Sequence, residues 1–332
     1  MFTALPGSLR GVRVGLYFDL RNPPAWRTSP SRLYGFTLEM CEEAELLGAD
    51  SMWLTEHHLF DDDYLPQPLT FAAAVAARTT RVRIGTGILI APLHRPVEIA
   101  EQAAVVDILS DGRLDLGIGA GYRVPEYELY GADIAARYRT TDATARELRR
   151  LWGPHGVTPR PVQDRLPLWL GYLGPKGARR AGLLGEHLLT ANKDSWPAYR
   201  DALAEAGHDP ATARMAGGIQ GWVSEDPDAD WPEVARHVGY QTDSYRRHMV
   251  QGTDGPTPKP VDPEKLRTRE PRTSLDHFFY GTPDQVAEKV RGYVGDAPVD
   301  TVYFWASIGG MSEETVARHV QTVCTKLAPL LA

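Results

Sequence analysis

Short apolar runs followed by amphipathic stretches alternate along the chain, and that alternation predicts repeated strand–helix units. Residues 12–18 (VRVGLYF) read as a buried strand. Residues 31–47 follow as a helix, with Leu33, Phe36, Met40, Ala44 and Leu47 on one face and Gly48 as its stop. The second strand is 50–55 and its helix 68–79. The third strand, 82–90, is apolar on both faces, as in a buried parallel sheet. A helix over 96–110, a fourth strand over 114–118 and a helix near 140–152 continue the series. Strands five and six are 168–170 and 187–190, with a short helix between them. Strand seven is 216–223, strand eight is 301–305, and residues 312–331 form the closing helix with Ser312 as N-cap.

Eight such units predict an α/β fold, a (β/α)8 TIM barrel, as a single domain over 1–332. One stretch breaks the rhythm. Residues 251–275 carry five prolines and two glycines with little to bury, and are expected to be a mobile loop or lid inserted after strand seven. The next helix restarts at Thr282, Pro283 and Gln285, a capping box with proline at the first helical position.

Composition narrows the function. The 332 residues carry 36 basic and 43 acidic side chains, a net charge of −7, with no long basic run, so nucleic acid is not an expected partner. Two cysteines, Cys41 and Cys324, allow neither a disulfide framework nor a zinc spacing. No run approaches the roughly 20 apolar residues that span a bilayer. The expectation is a cytoplasmic protein without a membrane segment.

A barrel of this kind carries its site at the carboxyl ends of the strands. Those ends bring Asp19 and Arg21, then Glu56, His57 and His58, then Gly119, Gly121, Tyr122 and Arg123, then Tyr172, Gly174, Lys176 and Gly177, and finally Asn192 and Trp305. Adjacent residues at a strand end point oppositely, so one histidine of the pair is expected to face the mouth as a general acid or base. A metal is not expected, because no His-x-His follows strand one. The turn GYLGPKGARR (171–180) enters a helix N-terminus, which suits an anion, most often phosphate; a plain turn with surface basic residues is the other reading. GIGAGYR (117–123) lacks the third spaced glycine of a dinucleotide fingerprint, but leaves room for a ring against the backbone.

Several ordered motifs then carry a resemblance. AELLGADSMWLTEHH (44–58), RIGTGILIAPLHRPVEIAEQAAVVDILSDGRLDLGIGAGYR (83–123), ELYGAD (128–133) and GTPDQVAEKV (281–290) resemble the luciferase-like monooxygenase family, the flavin-dependent barrel enzymes related to bacterial luciferase. The resemblance implies His57 as the active-site histidine near the reactive edge of the flavin. It implies Thr86, Gly87 and Ile88 behind the isoalloxazine ring, in a segment that in relatives often holds a non-prolyl cis peptide or bulge. Gly119, Gly121, Tyr122 and Arg123 are implied beside the cofactor, and Gly174, Pro175, Lys176 and Gly177 at its phosphate. Asp19, His58, Asn192 and Trp305 are the expected substrate-pocket residues. Gly119 stands where bacterial luciferase has a cysteine, and the phosphate turn has glycine and proline where some relatives place serine or threonine.

The implied activity is a two-component monooxygenase. A separate flavin reductase supplies reduced FMN, and O2 is used to oxidise a small organic substrate under the lid. The alternative is an F420-dependent oxidoreductase transferring hydride, for which Arg123, Arg137, Arg179 and Arg180 would need to converge into a broad cationic groove. A non-catalytic flavin-binding relative is disfavoured by the eight units and the retained His57. The resemblance also implies a homodimer.

Overall fold

The structure, a computed structural model, describes residues 11–268 and 278–332. In chain order it begins β1 (Arg13–Phe18), α1 (Pro30–Leu46), β2 (Ser51–Leu54), α2 (Pro68–Arg78), β3 (Arg83–Thr86), β4 (Leu89–Ile90), α3 (Pro96–Leu109) and β5 (Leu114–Gly119). It continues α4 (Val124–Tyr130), α5 (Arg137–Leu151), β6 (Leu168–Leu170), α6 (Gly174–Leu184), β7 (His187–Leu188), α7 (Trp196–Glu205), β8 (Met215–Ile219) and β9 (Gly221–Val223). Then come α8 (Pro227–Val250), α9 (Pro263–Thr268), β10 (Phe279–Gly281), α10 (Pro283–Val294), β11 (Val299–Trp305), α11 (Glu313–Thr322) and α12 (Ala328–Leu331).

The parallel strands run β3-β2-β1-β11-β8-β7-β6-β5-β4, and β3 also pairs with β5, which closes the sheet. β3 and β4 are one stave interrupted by a cis peptide between Gly87 and Ile88. Counting them together gives eight staves and the expected barrel. Its interior is plugged by aromatic rings. Trp53 stacks on Tyr303 at 4.6 Å and meets Trp169 edge-on at 6.2 Å. Their indole N–H groups donate to Ser51 Oγ and Asp115 Oδ1, both at 3.0 Å. Glycine makes the room, since a Cβ on Gly85 would stand 2.3 Å from the Trp53 ring.

Two expectations change in detail. The predicted strand seven is two strands: β8 stays in the barrel, whereas β9 leaves it to pair in parallel with β10. The excursion therefore starts at Gly221 rather than at 251, and its main body is the 24-residue α8. Residues 251–268 then run back along α8. Arg246 donates to the Lys259 carbonyl at 2.9 Å, Asp243 accepts from Val261 N–H at 2.8 Å, and Trp231 donates to Glu264. Residues 269–275 of the expected lid lie outside the described residues. The capping box at Thr282 and Gln285 and the Ser312 cap form as expected.

Candidate active site

Three polar layers meet at the carboxyl end of the barrel. The first is built on His57, just beyond β2. Its Nδ1 lies 2.8 Å from Glu126 Oε1, a residue of the short helix α4. That same oxygen accepts from the His58 backbone N–H at 2.9 Å and from Arg123 Nη1 at 3.2 Å. Burial raises the Glu126 carboxyl, but the bonds from His57 and His58 and the Arg123 charge outweigh it and hold it below the usual range. An ionised carboxylate only accepts, so the proton of neutral His57 sits on Nδ1. The Nε2 lone pair then faces the Tyr122 hydroxyl at 3.4 Å. Burial lowers the His57 pKa below its ordinary value, Glu126 resists, and the charges of Arg123 and Arg21 lower it further. The result is a neutral imidazole with its basic nitrogen turned into the mouth.

The second layer lies behind His57. Glu56 Oε1 accepts from His58 Nε2 at 2.8 Å and from His94 Nε2 at 2.6 Å, and Oε2 accepts from the Ile90 backbone N–H at 2.5 Å. His58 Nδ1 reaches the Tyr130 hydroxyl at 3.4 Å. The two adjacent histidines thus point to opposite sides, and Glu56 ties β2 to the far half of the broken stave.

At the same end of the barrel as His57, glycines hollow the wall. Gly218, in the middle of β8, is exposed although it belongs to the barrel, and Gly87, Ile88 and Gly171 are half-buried. Tyr303 forms the floor: a Cβ on Gly218 would stand 2.9 Å from its ring, and one on Gly87 3.0 Å from its hydroxyl. Any side chain at either glycine would fill the hollow, whose lining suits a flat ring. Toward α6 the hollow meets the turn expected to take an anion. Gly174 (φ 68°) opens α6 with nothing within 4 Å of its Cβ position, and Pro175 and Lys176 are exposed. Gly174 and Lys176 therefore offer free N–H groups and an unpaired ammonium at a positive helix end. The neighbouring cations are spent elsewhere: Arg179 on Glu205 at 2.6 Å, and Arg180 on Asp142 at 2.5 Å. Tyr172 also donates to Asp142, at 2.5 Å.

The third layer is the roof. α8 crosses the mouth with polar residues turned down: Ser244 Oγ donates to Asp62 Oδ2 at 3.3 Å, Tyr240 donates to the same oxygen at 3.2 Å, and Tyr245 pairs with Tyr64 at 2.9 Å. His248 stacks on Phe60 at 3.8 Å. Beneath them lie Asp19, Arg21 and Asp62, all buried. Burial pushes Asp19 up to about 6, with the Arg21 charge pulling the other way.

Of the residues singled out in the sequence, His57, Tyr122, Arg123, Gly121, Gly87, Ile88 and Asp19 gather at this mouth. Arg123 is buried there and donates to the carbonyls of His58 and His248 and to Gln251, at 2.6 Å in the last case, so it braces the roof. Thr86 bonds Gly117 in both directions, at 2.7 and 2.9 Å, inside the wall. Gly119 lies under Ile88. His58 is turned away, Asn192 caps the turn Lys193–Ser195 through its side-chain oxygen, and Trp305 packs with Phe278, Tyr280 and Ile308. Glu126, Tyr64 and Tyr245 were not legible beforehand; the Arg123–Glu126 spacing of three was the one signal available for Glu126. No group of three or more His, Cys, Asp or Glu side chains placed to hold a metal ion occurs among the described residues.

The family model described as luciferase-like monooxygenase matches residues 14–300. The oxygenase component of the flavin-dependent trigonelline monooxygenase of Acinetobacter baylyi is 40% identical over 117 residues, covering 35% of this chain and 32% of that one. An F420-dependent glucose-6-phosphate dehydrogenase of Amycolatopsis mediterranei is 29% identical over 197 residues, 53% of this chain and 59% of that one. These matched stretches thus span about a third and about three fifths of the two relatives. The crystal structure of the monooxygenase RslO1 from Streptomyces bottropensis shares the fold with a TM-score of 0.78 at 24% identity, covering 97% of this chain and all of that one.

Proposed function

The chain belongs to the luciferase-like monooxygenase family, and on that premise we propose that it is the oxygenase of a two-component, FMN-dependent monooxygenase acting on a small organic substrate. The observation that carries the reading is the neutral His57, its Nε2 lone pair aimed into the mouth beside a glycine-lined hollow floored by Tyr303. Gly87, Ile88 and Gly218 would border the flavin ring, and Lys176 with the backbone of Gly174–Gly177 would hold the phosphate. When bound, reduced FMN supplies the electrons with which O2 is activated for transfer of one oxygen atom. The chain's own residues do the rest. Glu126 fixes the His57 tautomer and favours a positive charge on the ring, so His57 takes up a proton at Nε2 and returns it. Tyr122 orients that nitrogen. The α8 roof keeps water from the site.

The alternative cofactor, F420, carries a long anionic tail and calls for a broad cationic groove. Arg123 is buried under α8, Arg179 and Arg180 are paired with Glu205 and Asp142, and Arg137 donates to its own turn at the Ile134 carbonyl. That leaves Lys176 as the free cation of the turn, enough for one phosphate, and this favours FMN. A transient flavin reductase partner belongs to the same reading. A homodimer is supported by α3, which is apolar on its outer side as well, with Val105, Ile108 and Leu109 exposed. Both cysteines are free and buried, in keeping with a reducing cytoplasm. The test is His57→Ala: FMN affinity is expected to persist while turnover with supplied reduced FMN collapses. Unimpaired turnover would remove His57 from the mechanism.

A further inference from the structure

Half of the buried side-chain polar atoms that lack a hydrogen-bond partner among the described residues belong to one group: Asp19 Oδ2, Arg21 Nε and Nη1, and Asp62 Oδ1. The Arg21 and Asp62 side chains have no exposed surface, and Asp19 has 1%. Arg21 Nε lies 3.6 Å from Asp62 Oδ2 and 3.9 Å from Asp19 Oδ2, so the charges balance, but leaving buried charged atoms without a hydrogen bond is costly. Their place in the fold is specific. The Arg21 guanidinium lies 4.3 Å from the Tyr245 ring, 4.9 Å from Tyr64 and 5.2 Å from Phe60. The His57 ring lies 4.7 Å from Phe60, 4.9 Å from Tyr64 and 6.2 Å from Tyr245. Arg21 and His57 therefore share the same three aromatic walls.

We propose that Asp19 and Arg21 form a specificity pair that reads a phenolic hydroxyl, so that the substrate is a neutral aromatic molecule bearing a ring hydroxyl. The inference rests on the monooxygenase reading and names the substrate class for it. Arg21 Nε and Asp19 Oδ2 are 3.9 Å apart, too far to bond each other. One oxygen at about 2.8 Å from each bridges them, accepting from the guanidinium and donating to the carboxylate. A hydroxyl does both. An ether oxygen can only accept, and a carboxylate has no proton for Asp19 and adds a third negative charge beside Asp19 and Asp62. His248 of α8 stacks on Phe60 at 3.8 Å, so lifting α8 bares the rings of Phe60 and Tyr64 as stacking surfaces for an aromatic body, and Tyr245 closes on it when α8 returns. Tyr245 comes from α8, whose hydrogen bonds to this group are long: Arg21 Nη2 to Ser244 Oγ at 3.4 Å, Ser244 Oγ to Asp62 Oδ2 at 3.3 Å and Tyr240 to the same oxygen at 3.2 Å. Lifting α8 admits the ring, and the bound hydroxyl completes the polar group when α8 returns.

The test compares three fluorescent probes on the full chain by direct titration: 2-naphthol, 2-methoxynaphthalene and 2-naphthoate. Wild-type protein is expected to hold 2-naphthol about tenfold or more tighter than 2-methoxynaphthalene, as befits a hydrogen bond to charged groups, with 2-naphthoate weaker than 2-naphthol. In Asp19→Asn the preference for 2-naphthol should shrink toward parity while 2-methoxynaphthalene binding holds, and Arg21→Lys should do the same. Equal affinities in the wild type, tightest binding of 2-naphthoate, or a preference that survives both substitutions overturns the proposal. The wild-type comparison needs no variant to fold. Reduced FMN is titrated in the same preparation: its failure to bind defeats the monooxygenase reading, whereas FMN binding without the naphthol preference defeats the specificity pair alone.

Discussion

Glu126→Gln isolates one term of the mechanism. Glu126 Oε1 accepts from three donors, His57 Nδ1 at 2.8 Å, the His58 N–H at 2.9 Å and Arg123 Nη1 at 3.2 Å. A glutamine oxygen can occupy the same point and accept all three bonds, so the fold and the His57 tautomer should be kept while the negative charge is lost. What disappears is the differential stabilisation of a protonated His57. A hydrogen bond to a charged group is worth about 1.5–3 kcal/mol, which predicts a fall in kcat of about 10- to 150-fold with FMN affinity little changed. The pH profile carries the sign. Burial already lowers the His57 pKa and Glu126 resists that lowering, so removing the charge must lower it further. The acid limb of kcat/KM should therefore move to lower pH as its plateau drops. The assay is a pH–rate profile with supplied reduced FMN, paired with an NMR titration of the His57 ring. A limb that stays in place, or moves to higher pH, at an undiminished rate would refute the argument that Glu126 governs His57.

Three further outcomes follow from the same structure. Lys176→Glu reverses the free charge at the start of α6 and should weaken FMN about tenfold or more while leaving riboflavin, which lacks the phosphate, nearly unaffected; equal loss for both would show that the turn does not hold the phosphate. Gly218→Val sets a Cβ 2.9 Å from the Tyr303 ring and branches it into the hollow, so FMN binding should be lost with the far-ultraviolet circular dichroism retained; undiminished affinity would move the flavin elsewhere. His319, stacked on Trp222 at 3.7 Å, is held near a pKa of about 4 by burial against its ordinary 6.5. The unfolded chain therefore binds that proton first, and stability present above pH 6.5 is lost as pH falls toward 4, by on the order of 3 kcal/mol. His319→Gln, which can still donate to the Trp305 carbonyl, should flatten that slope in urea unfolding at pH 5 and 7, and an unchanged slope would contradict it.

The barrel was legible because its walls obey a simple rule: staves such as β4 and β6 are apolar and buried on both faces, and amphipathic helices cover them. His57 was legible because it follows an apolar run directly and sits in a family motif. The roof was not. α8 turns His237, Gln241, Ser244 and His248 inward, and all four are buried. Their spacing is helical, but they are polar, so a search for apolar periodicity passes over them, and Pro232 reads as a break. A helix that covers a site has a polar underside for the same reason that it is functional. Glu126, Tyr64 and Asp62 were hidden differently: apart from the Arg123–Glu126 spacing of three, the partners that place them lie 69, 181 and 182 residues away in the chain. The arginines show the converse. Their sequence positions left open whether they converge into a cationic groove; folding pairs Arg179 and Arg180 with carboxylates and buries Arg123 beneath α8.

We propose a flavin site fitted for one phosphate. An anaerobic titration of the purified protein with reduced FMN and, side by side, with reduced F420 tests it most directly. Saturable FMN binding that is weakened by Lys176→Glu is expected, with F420 binding no tighter than that of FMN. Tight F420 binding with no FMN binding would contradict it.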